Sequence, residues 1–423
     1  MSGKTISEKI LSTKSGCDAR AGDLVVCRVD YAMGTDGSTP MAIDYFEQMG
    51  GSRVFDPDRI IFVMDHYSGA KGIRSSDLQD RMRAFAARYG IKVHEIGEGI
   101  CHQLMVETGR TRPGGLLVGA DSHSVTGGAL NAFATGIGSS DLAATMICGR
   151  IWLKVPQTIK VILTGRLRAN VYPKDIGLEL ARHLGADGAA YQAIEFHGPG
   201  MTGMDLEDRL VLSNMSVEMG AKAAIFLADP KTIAYLRERT SEVIQPVAAD
   251  VDARYIRVIA LDLPQLVPNV ARPHAVDNVD TIRKAIGIPI QMVYLGTCTG
   301  GRVRDFHQAR KILDAAGGIA TGVQLVVTPA SKEVEAELRN DGTLQRLGAM
   351  GAILTPPGCG SCCGTAGPIP RDGANVMSTA NRNFKARMGN ANAAIYLASP
   401  ASCAAAAATG RITDPGDFAE GPA

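Results

Sequence analysis

The chain has 423 residues, enough for roughly two to four domains of about 100–200 residues each. Its 44 basic and 43 acidic residues leave a net charge of +1, so no bulk field draws it to nucleic acid or to a membrane surface. Hydrophobic residues at 45% and charged residues at 21% are ordinary for a soluble globular enzyme.

The first segment, MSGKTISEKILSTKSGCDAR, has no apolar core of signal-peptide length. No run approaches the ~18 apolar residues of a membrane span. A cytoplasmic location is therefore expected, where thiols stay reduced. Nine cysteines is an odd number, and a metal or redox role for a subset is a better expectation than a disulfide scaffold. Cys17, Cys27, Cys101, Cys148 and Cys403, scattered singly, are expected to be buried small hydrophobes.

Short apolar runs that end abruptly in polar or Gly-rich residues predict strands at 59–66 (RIIFVMDH), 90–97 (GIKVHEIG), 114–123 (GGLLVGADSH) and 158–165 (TIKVILTG). The same pattern recurs at 223–229 (AAIFLAD), 255–263 (YIRVIALDL), 290–301 (IQMVYLGTCTGG) and 322–331 (GVQLVVTPAS). Runs of this composition need cover on both faces. Helical patterns lie at 76–90, 303–317 and 332–351. The alternation predicts parallel α/β layers. A proline-punctuated, aperiodic stretch at 261–281 and a weaker break near Pro156 suggest units at 1–156, 157–270 and 271–423.

Asp65 and His66, then Asp121, Ser122 and His123, then Cys298, each fall where a predicted strand runs out. Ligands of open α/β sheets bind outside the carboxyl ends of the strands, so separate strands deliver reactive side chains to what can be one cleft. The sharpest local feature is Cys359-Gly360-Ser361-Cys362-Cys363-Gly364 after Pro356-Pro357-Gly358. By itself this CxxC fits half a zinc site, a redox dithiol, part of an iron–sulfur site or no chemistry at all. A structural zinc commonly takes four ligands from two such pairs, and the chain has no second CxxC. Adding Cys298, in Gly296-Thr297-Cys298-Thr299-Gly300-Gly301-Arg302, makes three thiolates, one short of a full cluster set. A cluster so held leaves one iron open, like the open position of a catalytic zinc.

Longer motifs carry a resemblance: MDH (64–66), GICHQLMVETG (99–109), GADSHSVTGGALNAFATGIGSSDLAA (119–144), LSNMSVEMGAK (212–222), LGTCTGGR (295–302), PGCGSCCG (357–364) and STANRNFKARMG (378–389). Over nearly its whole length the sequence resembles the aconitase superfamily, and within it the large subunits of the 3-isopropylmalate dehydratase and homoaconitase type. The resemblance implies aconitase-like three-layer α/β/α domains around a central iron–sulfur cleft. It implies one 4Fe–4S cluster on Cys298, Cys359 and Cys362 with one iron not ligated by cysteine, and Cys363 outside the ligand set. It implies that Asp65 and His66 protonate the departing hydroxyl, and that His102, Asp121, Ser122 and His123 surround substrate and cluster. It further implies Glu218 close to the open iron, Asn214 and Asn381 as cluster-neighbouring amides, and Arg382 and Arg387 as the grip on a substrate carboxylate.

Departures from the family pattern are Gly300, where Asn is usual, Ala386, where Gly is usual, the missing His before Asp36, and Gly69 near a common Pro. They bear on the substrate rather than the reaction class. The swivel domain that carries the proton-accepting serine in single-chain aconitases is expected on a separate small subunit, because only RITDPGDFAEGPA follows the helix-like ASCAAAAATG segment. The resemblance also places substrate choice on a loop of that partner.

The chemistry agrees with the residue types. Dehydrating a hydroxy acid requires held carboxylates, a better leaving group and removal of an α-proton. An open iron polarises the hydroxyl, a carboxylate-oriented imidazolium delivers a proton, and arginine forks bind carboxylates bidentately. Singly, a strand-end histidine, a pair of arginines or one glutamate has an ordinary structural explanation; the combination with three spaced cysteines points to a site. The expected activity is a hydro-lyase on a di- or tricarboxylic hydroxy acid, most like 3-isopropylmalate, with homoaconitate, 2,3-dimethylmalate, citramalate or maleate as alternatives. An RNA-binding role of the apo form and a structural zinc protein are readings of other classes. A chain of this charge, with ten Phe, ten Tyr and one Trp, offers no basic aromatic strip for the first.

Overall fold

A computed structural model of the chain describes residues 3–67 and 73–418, so Gly69 and the last five residues lie outside the described residues. The eight expected strands all form, and among the described residues the mixed α/β architecture comprises four sheets. One is a five-stranded parallel sheet in the order Lys92–His94, Ile60–Val63, Tyr31–Thr35, Leu116–Gly119, Phe133–Gly136. Another is a four-stranded parallel sheet of Ala223–Phe226, Ala193–His197, Thr158–Thr164 and Arg257–Asp262. The largest has seven strands. Ala394–Ala398, Asn375–Ser378, Met292–Leu295, Gln324–Val327 and Ile353–Leu354 are parallel, with Asn269–Ala271 and Val279–Thr281 antiparallel at one edge. Leu24–Arg28 and Arg150–Lys154 form a separate antiparallel ribbon.

The inner strands behave as apolar runs of parallel sheets should: Ile60–Val63, Leu116–Gly119 and Met292–Leu295 are buried at every position, as is the edge strand Ala223–Phe226, which the segment 122–130 covers. Arg257–Asp262 corrects the expectation of cover on both faces. It is the edge of its sheet and mostly exposed, with Val258 57% accessible. The stretch 261–281 is ordered, closing one sheet and supplying two strands to the next. Tyr31–Thr35, at the centre of the first sheet, carries no long apolar run and was not among the expected strands.

Helix Val303–Ala316 follows its amphipathic pattern, burying Val303, Phe306, Ala309, Ile312 and Leu313. Asp305 accepts from the Arg302 N–H and stops its amino end from fraying. It packs on Pro400–Thr409, a helix of small residues buried along most of its length. The helix expected over 332–351 is two helices, Lys332–Asn340 and Thr343–Ala349. Gly342 adopts a left-handed φ of 76° between them, which an α-helix cannot continue through. Among the described residues no helix is long and apolar enough to cross a membrane.

One close approach locks two sheets together. The segment Ser122–Leu130 winds as a 3-10 turn between the first sheet and strand Ala223–Phe226. A Cβ on Gly128 would lie 1.7 Å from the Ala224 carbonyl oxygen, a backbone atom that cannot step aside. Gly128→Ala is therefore expected to destabilise the fold by about 1–3 kcal/mol or more, as overpacking does. Gly203→Ala, where a Cβ meets nothing within 4 Å, is expected to be near neutral. Urea denaturation of both variants checks this, and equal midpoints would refute the contact.

Candidate active site

Parallel strands release their following segments at one edge, and the side chains of interest gather there. Strand Ile60–Val63 runs into Asp65 and His66, Leu116–Gly119 into Asp121–His123, Met292–Leu295 into Cys298, and Asn375–Ser378 into Asn381 and Arg382. Ile353–Leu354 leads to Cys359 and Cys362, both at a short turn. Glu218 and Asn214 come from the end of helix Leu206–Met215 and the turn after it.

Asp121 is the centre of the histidine cluster. Its Oδ1 lies 2.9 Å from His102 Nε2 and accepts from the His123 N–H at 2.8 Å, while Oδ2 lies 3.3 Å from His66 Nε2. Burial alone would raise its pKa, but His102 and the hydrogen bonds from three histidines hold it well below the usual carboxylate range. On its other side His66 Nδ1 sits 2.7 Å from Asp65 Oδ1. Burial disfavours a charged His66, yet Asp65 and Asp121 outweigh it and raise its pKa well above the ordinary value. Asp65 Oδ2 accepts from the Cys101 N–H at 2.8 Å. His123 Nε2 lies 2.7 Å from Glu218 Oε1, and Arg382 donates from Nε to Glu218 Oε2 at 3.0 Å and from Nη2 to Ser122 Oγ at 2.9 Å. Burial pushes the Glu218 carboxyl up, and His123 and Arg382 more than offset it.

The thiols lie against this network. Cys298, Cys359 and Cys362 are 6%, 8% and 3% exposed. Cys359 Sγ is 4.0 Å from His66 Nε2, and the Cys359 N–H donates to the Asp65 carbonyl at 3.0 Å. Asn381 Nδ2 donates to Cys298 Sγ at 3.4 Å and to Asn214 Oδ1 at 3.0 Å, and Arg387 Nη2 donates to Cys362 Sγ at 3.3 Å. Burial pushes the Cys298 thiol up to about 12. Cys363 differs: its sulfur is 2.7 Å from Thr365 Oγ1 and faces the His66 carbonyl, and a hydrogen bond from Cys359 pulls its pKa down to about 5. Among the described residues two groups bring three ligand atoms within 4.8 Å of one another, Asp65–His66–Cys359 and His102–Asp121–His123. Cys298, Cys359 and Cys362 do not form a third such group.

The two arginines differ in what they already hold. Arg382 has Glu218 and Ser122, whereas Arg387 Nε is buried without a hydrogen-bond partner, as is Asn381 Oδ1. Asp36 was missed as a supporting residue: it accepts from the backbone N–H of His66 at 2.9 Å and of Tyr67 at 3.1 Å, and from Gln79 Nε2 at 3.0 Å. Its position just beyond strand Tyr31–Thr35 was the available signal. Tyr294, whose hydroxyl donates to the Cys359 carbonyl at 2.9 Å, was missed as well.

Two lone cysteines depart from expectation, since Cys17 and Cys148 are exposed: one follows the left-handed Gly16 that ends a helix, and the other is the last residue of helix Ser139–Cys148. Cys101 is buried as expected but borders the site, 3.6 Å from His102 Nε2. At the departure Gly300, a Cβ would lie 2.3 Å from Thr379 Cβ, so Thr379 fills that space. Ala386 keeps a left-handed φ of 68° where the family has Gly.

Comparison with known proteins bears on all of this. The aconitase family (aconitate hydratase) model matches residues 8–410. The chain is 44% identical to 3-isopropylmalate dehydratase large subunit 1 of Methanopyrus kandleri, over 98% of this chain and 99% of that one. It is 46% identical to large subunit 1 of the same enzyme from Thermotoga maritima, over 98% and 100%. It is 42% identical to a probable methanogen homoaconitase large subunit of Methanosarcina mazei, over 92% and 98%. The holo-form crystal structure of Thermococcus kodakaraensis aconitase X shares the fold at TM-score 0.50 and 13% identity, over 89% of this chain and 88% of that one. A match of this length and identity settles membership: the chain belongs to the aconitase family and is a hydro-lyase.

Proposed function

We propose that the chain is the large, cluster-bearing subunit of a two-subunit hydro-lyase acting on a small hydroxy-dicarboxylic acid. The names of its relatives favour 3-isopropylmalate, with homoaconitate as the alternative. The observation that carries the reading is a set of three buried thiols, Cys359 beside the Asp65–His66 pair, Cys362 beside Arg387 with its open Nε, and Cys298 beside Asn381.

The donor set fits one 4Fe–4S cluster. Cys298, Cys359 and Cys362 would hold it, and Cys363 would stand outside, engaged with Thr365 and the His66 carbonyl. Asn381 and Arg387 aim donors at two of the sulfurs, hydrogen bonds that metal-bound thiolates would accept. When bound, the cluster supplies a Lewis acid through the iron that no cysteine holds.

The chain's own residues do the rest. Arg387 offers a fork to a substrate carboxylate. His66, kept protonated between Asp65 and Asp121, gives its proton to the departing hydroxyl oxygen, so that the C–O bond breaks and water leaves. Asp121 fixes His66, His102 and His123 in one arrangement, and Glu218 ties His123 to Arg382. The group that takes the α-proton is assigned to a small swivel-domain subunit, which the words "large subunit" in the relatives' names support. A cytoplasmic location would keep the ligand thiols reduced.

Three expected outcomes test the reading. Anaerobically prepared protein should carry four irons and four sulfides. Replacing Cys298, Cys359 or Cys362 by Ser should abolish them, and Cys363→Ser should not; zinc without sulfide would sink the cluster assignment. Arg387→Lys keeps the charge but loses the fork, so kcat/KM should fall by the equivalent of about 1.5–3 kcal/mol. Unchanged turnover and affinity would remove Arg387 from the substrate. The chain alone, cluster intact, should hydrate an unsaturated dicarboxylate far more slowly than the chain co-expressed with its small partner. Equal rates would overturn the two-subunit assignment.

A further inference from the structure

Lys174 is the second residue of helix Pro173–Leu184 and is 1% exposed. Both facts disfavour an ammonium there. Burial strips its hydration, which penalises the charged form, and the amino end of a helix is the positive end of its dipole. Loss of water pulls the Lys174 pKa down to about 8, against the opposing pull of Cys298, Cys403, Glu218 and Cys362.

Its hydrogen-bond partners are all neutral. Nζ donates to the carbonyls of Ala380 at 2.6 Å and Thr379 at 3.2 Å, and lies 3.3 Å from Met215 Sδ and 3.5 Å from Thr299 Oγ1. These partners belong to the loops that build the site. Thr299 follows Cys298, Thr379 and Ala380 precede Asn381 and Arg382, and Met215 follows Asn214. Thr299 Oγ1 also donates to the Thr379 carbonyl at 2.7 Å, so the two loops are bonded to each other and to the same ammonium. None of those contacts is to an anion; the adjacent, fully buried Asp175 interacts with the Lys174 charge but spends its oxygens on the Tyr172 and Asn269 N–H groups. Of the acidic groups near it, Glu218 is engaged with His123 and Arg382, whereas the Cys298 and Cys362 sulfurs become anions when they ligate metal.

We propose that Lys174 is a positioning residue of the hydro-lyase site, a fixed buried cation that ties the Cys298 loop to the Asn381–Arg382 loop and balances the charge of the cysteine thiolates. The inference rests on the cluster reading above. Outer partners of this kind set how firmly a metal centre is held, and net local charge sets its reduction potential. A cation closer to the centre makes adding an electron easier.

The test compares wild type, K174M and K174R, prepared anaerobically. The measurements are apo melting temperature, iron and sulfide per chain, the rate of iron loss to a chelator, and the midpoint potential. K174M is close in shape but neutral. Its apo form should fold and melt near wild type, because the hydrogen bonds lost by the Thr379 and Ala380 carbonyls are offset by no longer burying an ammonium. Its cluster should lose iron faster, on the order of tenfold for a lost outer partner, at a midpoint potential more negative than wild type. K174R, which keeps the charge, should hold a potential nearer wild type than K174M does. A K174M cluster with wild-type potential and iron loss overturns the proposal. So does an apo K174M that fails to fold or melts well below wild type, since the lysine would then serve the fold alone. Wild-type protein that takes up no cluster would instead defeat the cluster reading, a separate failure.

Discussion

Charges that are largely buried must each find a partner, and that requirement organises the site more than any single side chain does. Burying an isolated carboxylate or imidazolium is so costly that the group would neutralise instead. Asp121 escapes this by facing three histidines, Glu218 by sitting between His123 and Arg382, and Asp65 by taking the Cys101 N–H and His66. The partners come from positions as far apart as 65, 121, 218 and 382. Satisfying the charges therefore pins two sheets and a helix end to one another. The same pairings fix His66, the proposed proton donor, in one orientation, the kind of preorganisation that makes electrostatic stabilisation effective.

Much of this was legible in the sequence because chemistry and topology coincide. Asp65-His66, Asp121–His123 and Cys298 stand where apolar runs end, and parallel sheets send such ends to one edge. The helix at 303–316 was legible for an equally local reason, its burial period. What escaped depends on partners distant in the chain. Tyr31–Thr35 is short and holds Gly34, so nothing local marks it as a central strand, and Asp36 beyond it went unnoticed with it. Lys174, beside a proline at a helix start, has the local pattern of a solvated residue; only the carbonyls of Thr379 and Ala380 explain its burial. The division of labour between Arg382 and Arg387 is likewise tertiary, since Glu218 and Ser122 occupy one and not the other.

Backbone conformation adds a further layer that residue types do not announce. Thr297 and Ala386 both hold a left-handed φ, of 72° and 68°. For a residue with a side chain this region is sterically costly, more so for a β-branched one. Thr297 immediately precedes Cys298 and Ala386 immediately precedes Arg387, so each strained residue aims the next side chain. The surroundings hold the first in place: Thr297 Oγ1 accepts from the Thr299 N–H at 3.2 Å and lies 3.0 Å from the Thr299 hydroxyl. That hydroxyl bonds in turn to the Thr379 carbonyl, which also receives Lys174. The second is closed by the Gly389 N–H donating to the Ala386 carbonyl at 3.0 Å. Strain of this kind persists only where neighbouring contacts over-determine the backbone, and it gathers at sites whose geometry must not relax. Its placement directly before a proposed cluster ligand and a proposed carboxylate grip explains how an alanine is tolerated at position 386. The turn is held by its hydrogen bond and by the Arg387–Cys362 contact rather than by the freedom of a glycine.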